Sequence, residues 1–267
     1  MKRQMKMLSP LLILFLLISC NSKQNEMERI IFLHHSTGQA IWYGKTNRYI
    51  RKLTNRSDVK TFFKKYNRKN KTSYYISERS FPNVNQYGSA NFPYDYYNIW
   101  VKHAGENPYM GDPTLEILAK EFDIIIFKHC YPVSNVLEDT GNPNIDSDEK
   151  RIENYKIQYD ALKKKMHEFP NNKFILWTPA SKVKKSITLE EAQRTNDFYK
   201  WIINEWDQKG DNIYIWDFYK YETEGGIYLL DNYAAGFDDS HPNKKFAGRM
   251  APLFAQFIID VAKGKSE

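Results

Sequence analysis

Apolar residues recur along this chain in two rhythms. Unbroken apolar runs at 30–33 (Ile30, Ile31, Phe32, Leu33) and 123–127 (Ile124, Ile125, Ile126, Phe127 after Asp123) read as strands buried on both faces, with shorter ones at 74–77, 174–177 and 213–216. Helical spacing fills the gaps. It predicts helices over 37–42, over 57–66 with a solvated lysine face, and from Asp112-Pro113-Thr114 through Lys120. Ser147 is read as the cap of a helix to Phe169, with Ile152, Tyr155, Tyr159, Leu162 and Met166 on its apolar side. Thr188 with Glu191 forms a capping box for a helix to about Lys209, and an amphipathic helix over 243–262 closes the chain. The stretch 81–110, rich in Pro, Gly, Asn and aromatics without a clear period, reads as a long, partly ordered loop. Strand alternating with helix predicts an α/β protein: a three-layer α/β/α sandwich around a five-stranded parallel sheet in the flavodoxin-like order 2-1-3-4-5.

Composition adds location. Lys2, Arg3 and Lys6 precede an apolar run at 8–18, too short to span a bilayer, and Leu17-Ile18-Ser19-Cys20 follows. This start resembles a bacterial lipoprotein signal. The resemblance implies a signal peptide at 1–19, a lipidated Cys20 with a polar tether over 20–28, and one domain over 29–267, held at the cell envelope by its N-terminal lipid. Cys130 is then the one remaining thiol, so no intrachain disulfide is expected. Loss of three cations with the signal lowers the formal charge from +7 to +4. The other basic residues are scattered among carboxylates, which argues against nucleic acid as partner. The densest basic stretch, 48–71, interleaves Tyr49, Phe62, Phe63 and Tyr66; it is read as an amphipathic helix rather than a single-strand binding surface, with acidic glycans as an open possibility. The 19 Tyr and 6 Trp give a slight push towards carbohydrate, on whose rings they can stack, although most are expected in the core.

The chemistry gathers at two ends of the chain. Ser36, in His34-His35-Ser36-Thr37-Gly38, directly follows the first strand, where a strand turns into a helix. His241 lies in Asp238-Asp239-Ser240-His241-Pro242, after the fifth strand. A serine hydroxyl is a poor nucleophile until an imidazole takes its proton, and the imidazole needs a carboxylate to set its tautomer. Asp238, three residues before His241, is the first choice for that carboxylate and Asp239 the second. Both groups leave the sheet at its carboxyl edge, about 14 Å apart across three strand spacings, a gap the long connection after Asp217 can span.

A serine after strand one with Asp-x-x-His before the last helix resembles the SGNH (GDSL-like) hydrolase superfamily over most of the chain. The resemblance implies Ser36 as nucleophile, His241 as base and Asp238 as its orienting carboxylate. It further implies an oxyanion hole built from Ser36, Gly88 (with Gly105 and Gly111 as alternatives) and Asn135. Two blocks depart from the family pattern. His35 replaces the usual aspartate before the serine, and Lys128-His129-Cys130-Tyr131-Pro132-Val133-Ser134-Asn135 replaces Gly-x-Asn-Asp.

His35, Lys128 and His129 are expected as pocket-lining residues, with a purely structural role open for each. His34 and His35 point to opposite faces and are not expected to share a metal ion. Cys130 lacks the surroundings of a nucleophilic cysteine, and Asp217 is read as a turn cap. The expected activity is hydrolysis of acyl, chiefly acetyl, esters on carbohydrate, with no cofactor or metal. The alternatives are a degenerate glycan-binding lipoprotein and an acyltransferase using the same triad.

Overall fold

Four apolar runs and one mostly polar edge segment become the strands Arg29–His34 (β1), Tyr75–Ser80 (β2, the polar edge), Ile124–Lys128 (β3), Lys173–Trp177 (β4) and Ile213–Trp216 (β5). The computed structural model describes residues 27–88 and 90–265, without the side chains of 48 and 50. The predicted signal peptide and Cys20 lie outside these residues, as does most of the tether. Every strand pair is parallel and the order is β2-β1-β3-β4-β5, the predicted arrangement. Register is set by apolar matches such as Ile30 with Ile124 and Phe32 with Ile126.

Helices Ser36–Tyr43 (α1), Arg48–Thr54 (α2) and Asp58–Asn70 (α3) follow β1. Next come Pro93–Tyr97 (α4), Leu115–Glu121 (α5), Ile152–His167 (α6), Leu189–Trp201 (α7), Phe218–Thr223 (α8) and Lys244–Ala262 (α9). One face of the sheet buries Phe32, Ile126 and Trp177 against Trp42 of α1, Phe63 of α3 and Phe254 of α9. Phe32 stacks on Trp177 at 5.3 Å between centroids. The other face buries Ile125, Phe127 and Leu176 beneath Tyr96, Tyr159 and Phe198. Each fully buried aromatic or aliphatic side chain of this kind stabilises the fold by roughly 1.5–3 kcal/mol, so two apolar layers hold the sheet between helices.

Several local expectations are corrected. The stretch 81–110 is not one long loop: Pro93 opens α4, Asp95 accepts the Phe92 amide at its first turn, and the helix runs on through a π turn at Asn98–Lys102. Tyr96, Tyr97, Ile99 and Trp100 are buried there, a helical face too short to stand out among neighbouring Pro, Gly and Asn. Helix α6 starts at Ile152 because Ser147 folds its hydroxyl onto the Glu149 amide, a local turn instead of a cap. α7 does not run to Lys209; it widens into a π turn at Ile202–Trp206. Helices α2 and α8 are additions. Asp217 caps α8 by accepting the Lys220 amide, as its sequence position suggested. Among the described residues no helix is long and apolar enough to cross a membrane.

Candidate active site

β1 ends at His34, and after His35 the chain turns directly into α1 with Ser36 as its first residue. His35 has extended backbone and offers the helix no side-chain cap, because its Nε2 donates to the Pro82 carbonyl at 2.8 Å instead. The leading amides of α1, Ser36's own among them, therefore point out of the helix without an intrahelical acceptor. They carry the positive end of the helix dipole to the serine hydroxyl.

The turn is tight enough to dictate Gly38. A Cβ at this position would lie 2.5 Å from His34 Cβ and 2.9 Å from Lys128 Cδ, so α1 can sit on the ends of β1 and β3 only with glycine here. Gly38→Ala is expected to cost about 1–3 kcal/mol through overpacking. Denaturant unfolding should show the loss, and the displaced helix start should slow any reaction at Ser36.

On the opposite side of the cleft, the connection from α8 to α9 is pinned at several points. Ser240 accepts the Val183 amide at 3.1 Å, and the Ala235 amide donates to the His241 carbonyl at 2.7 Å. Asn243 caps α9 through the Phe246 amide and also donates to the Asn232 carbonyl. So held, His241 Nε2 lies 2.8 Å from Ser36 Oγ, across 205 residues of sequence. Tyr131 packs edge-on against the imidazole at 4.9 Å between centroids and limits its rotation.

The carboxylate on the imidazole is that of Asp239, not Asp238. Asp239 Oδ1 accepts the His241 amide at 2.9 Å and sits 2.6 Å from His241 Nδ1. This is a turn in which an aspartate folds onto the amide two residues ahead, and it brings the carboxylate to the ring. Asp238 is exposed, and its carbonyl is taken by the Ser186 hydroxyl. Accepting the His241 amide, and then its ring, holds the Asp239 carboxyl below the usual aspartate range. An ionised Asp239 fixes the proton on Nδ1 and leaves the Nε2 lone pair for the Ser36 hydroxyl.

The pocket at Ser36 measures about 440 Å³ and is walled by His34, His35, Gln39, Glu78, Cys130 and Tyr131 among others. Neither proposed partner of the oxyanion hole is part of it. Asn135 spends its amide on Glu191 at 3.1 Å and its carbonyl on Lys182 at 3.0 Å, because a 3-10 turn at Tyr131–Ser134 carries it past the pocket. Gly88 lies in an open turn where an added Cβ would meet nothing within 4 Å, and its amide donates to the Asn83 carbonyl at 3.3 Å. The leading amides of α1 are the donors that the helix start offers at Ser36, and Gln39 lines the same pocket.

Of the three expected pocket residues, His35 lines the wall, whereas Lys128 and His129 do not. Successive side chains at the end of β3 point to opposite core layers. Lys128 lies fully buried under α1, its Nζ donating to the His129 carbonyl at 2.6 Å, and burial pushes its pKa down. His129 is enclosed by Tyr96, Phe127 and Tyr159 with no hydrogen-bond partner on either ring nitrogen. Burial, helped by the Lys128 charge, takes its pKa down to about 3, so it is a neutral core histidine.

Sequence reasoning underrated Cys130 and passed over Glu78. Cys130 Sγ lies 3.8 Å from Ser36 Oγ and 3.8 Å from Lys128 Nζ. Position alone, two residues past the central strand, was the available signal. A methylthio group placed on Cys130 by methyl methanethiosulfonate must enter the space around Ser36. Reaction of Ser36 with a fluorophosphonate is expected to stop after this treatment and return with dithiothreitol, while Cys130→Ala should be indifferent to the reagent. Glu78 Oε2 sits 3.2 Å from His34 Nε2. The His34 ring beside it keeps the Glu78 carboxyl below its ordinary range, so the pocket has one anionic wall. Among the described residues no three His, Cys, Asp or Glu side chains converge as metal ligands.

Compared with protein-family models and with curated proteins, the sequence matches none.

Proposed function

We propose that this chain is a serine esterase that removes acyl groups, acetyl foremost, from carbohydrate. One observation carries the reading: Asp239, His241 and Ser36 form an unbroken chain of contacts of 2.6 and 2.8 Å, carboxylate to imidazole to hydroxyl. Ser36 attacks the ester carbonyl as its proton passes to His241 Nε2. The carbonyl oxygen becomes an oxyanion, received by the leading amides of α1. Protonated His241 then delivers its proton to the sugar alkoxide, which leaves as an alcohol. Water, deprotonated in turn by His241, attacks the acyl-enzyme and releases the acid.

The order of motifs, similar to that of SGNH hydrolases, supports the same class, and the opening of the chain supports attachment to the bacterial envelope through a lipid on Cys20. The test is release of acetate from acetylated polysaccharides by the purified protein, followed with and without an acceptor sugar. Free acetate that depends on Ser36 supports hydrolysis; acetyl groups moved to the acceptor would make the protein a transferase. Sugar binding that survives Ser36→Ala, with no turnover of any ester, would overturn the catalytic reading.

A further inference from the structure

Helix α3 carries cations along one side. Lys60, Lys64 and Arg68 recur at every fourth residue, about 6 Å apart along the helix axis, with Lys65 and Arg56 beside them. With Thr54, Asn55 and Thr61 these five cations wall a groove of about 490 Å³. Among the described residues none of the five is ion-paired to a carboxylate. The one acid of α3, Asp58, is spent on the Lys45 amide and the Thr46 hydroxyl. Asp58 on the same helix, and Glu78 near Lys60, offset only part of these five like charges, and a bound polyanion relieves the repulsion that remains.

Lys60 links the groove to the Ser36 pocket, because its charge acts on Glu78, which lines that pocket. On α1, Ser36, Gln39 and Tyr43 fall on one face at helical spacing, and Gln39 already lines the Ser36 pocket. The Arg51 guanidinium lies 4.3 Å over the Tyr43 ring, and Lys60 Nζ lies 5.8 Å from the Trp42 ring. A chain leaving the pocket along α1 therefore meets Arg51 and Lys60 and then the α3 row. Inside the pocket the sign reverses, because Glu78 presents a carboxylate there. A neutral ester fits within and anionic groups fit outside.

Single-stranded nucleic acid fits less well, because it needs exposed rings on which bases stack. Of the four rings in the basic stretch only Tyr49 is exposed, and it does not line the groove; Phe63 is buried in the core, and Phe62 and Tyr66 pack against it.

Resting on the esterase reading, we infer that the substrate is a polyanionic glycan, carrying carboxylate or sulfate groups. Its esterified residue enters the Ser36 pocket while the anionic chain lies in the α3 groove. The inference is tested by binding of polygalacturonate and heparin oligosaccharides to the purified Ser36→Ala protein, with dextran oligosaccharides as the neutral comparison. The expected result is polyanion binding at least about tenfold tighter than dextran binding, weakening as salt is raised. Lys64→Gln, Lys65→Gln and Arg68→Gln combined, all at exposed positions, should weaken it by a further factor of about ten at an unchanged melting temperature. Polygalacturonate binding without heparin binding, or the reverse, identifies which anion the groove takes.

Equal affinity for dextran, or full polyanion binding by the triple variant, overturns the inference. So does retention of phosphatidylglycerol vesicles through these lysines when neither glycan binds. Fluorophosphonate labelling of the wild type separates the two claims: a protein that labels at Ser36 but ignores polyanions loses the groove and keeps the esterase.

Discussion

Ser36→Ala is expected to lower ester turnover by a factor on the order of 10⁵–10⁶, and His241→Ala by a similar factor, with the double variant little worse than either. The non-additivity is the informative part. Ser36 Oγ and His241 Nε2 are 2.8 Å apart, and neither does its work alone: without the imidazole the hydroxyl keeps its proton, and without the hydroxyl the imidazole has nothing to activate. Residual turnover in all three variants would come from the leading amides of α1, which still bind an oxyanion formed by water. Stability should change little. Ser36 is exposed and His241 is half-buried on a loop held by Ser240 and Asn243, so unfolding curves can separate lost chemistry from lost fold. Initial rates on a soluble acetyl ester across the four proteins check the pattern.

Asp239→Asn should cost on the order of 10³ in turnover, whereas Asp238→Asn should stay within about threefold of the parent. An asparagine at 239 can still accept the His241 amide, so the turn persists, but it no longer compensates the charge that His241 gains as Ser36 attacks. In enzymes whose aspartate is fully buried the corresponding loss reaches about 10⁴. Here the Asp239 side chain is 45% exposed, so water screens its charge and the effect should be smaller. Asp238 faces solvent and contributes only its carbonyl, to Ser186, so removal of its charge should have no route to the site. Equal losses at the two positions would contradict the geometry. The low pKa of Asp239 sets a sign for acid as well. Its ionised form is favoured by folding, so its contribution to stability is full above the unfolded-state value and drains away as pH falls through the lower folded-state value.

The layout of the sheet was legible because each strand announces itself by local chemistry. Ile30 to Leu33 and Ile124 to Phe127 are apolar on both faces, which only a sheet covered on both sides explains, and alternation with helices forces parallel pairing. Ser36 and His241 were legible for the same reason, since the connections leaving the strands of a parallel sheet all start at its carboxyl edge. Features set by contacts distant in sequence, or by single turns, escaped. The choice between Asp238 and Asp239 depends on a turn of two residues that no periodicity encodes. Asn135 looked available until Glu191 and Lys182, from other segments, were found on its amide. Lys128 looked like a pocket residue, yet the missing side chain at Gly38 lets α1 cover it. Tyr96 and Trp100 carried a helical spacing, but over so few residues that the surrounding glycines and prolines outweighed it.

The most direct test of a Ser36 nucleophile activated by His241 is reaction of the purified protein with a fluorophosphonate, with the adduct located by mass spectrometry in the wild type, Ser36→Ala and His241→Ala. A single adduct on Ser36 that disappears in both variants is the predicted result. A folded wild type that takes no adduct, or an adduct on another residue that survives Ser36→Ala, would contradict it.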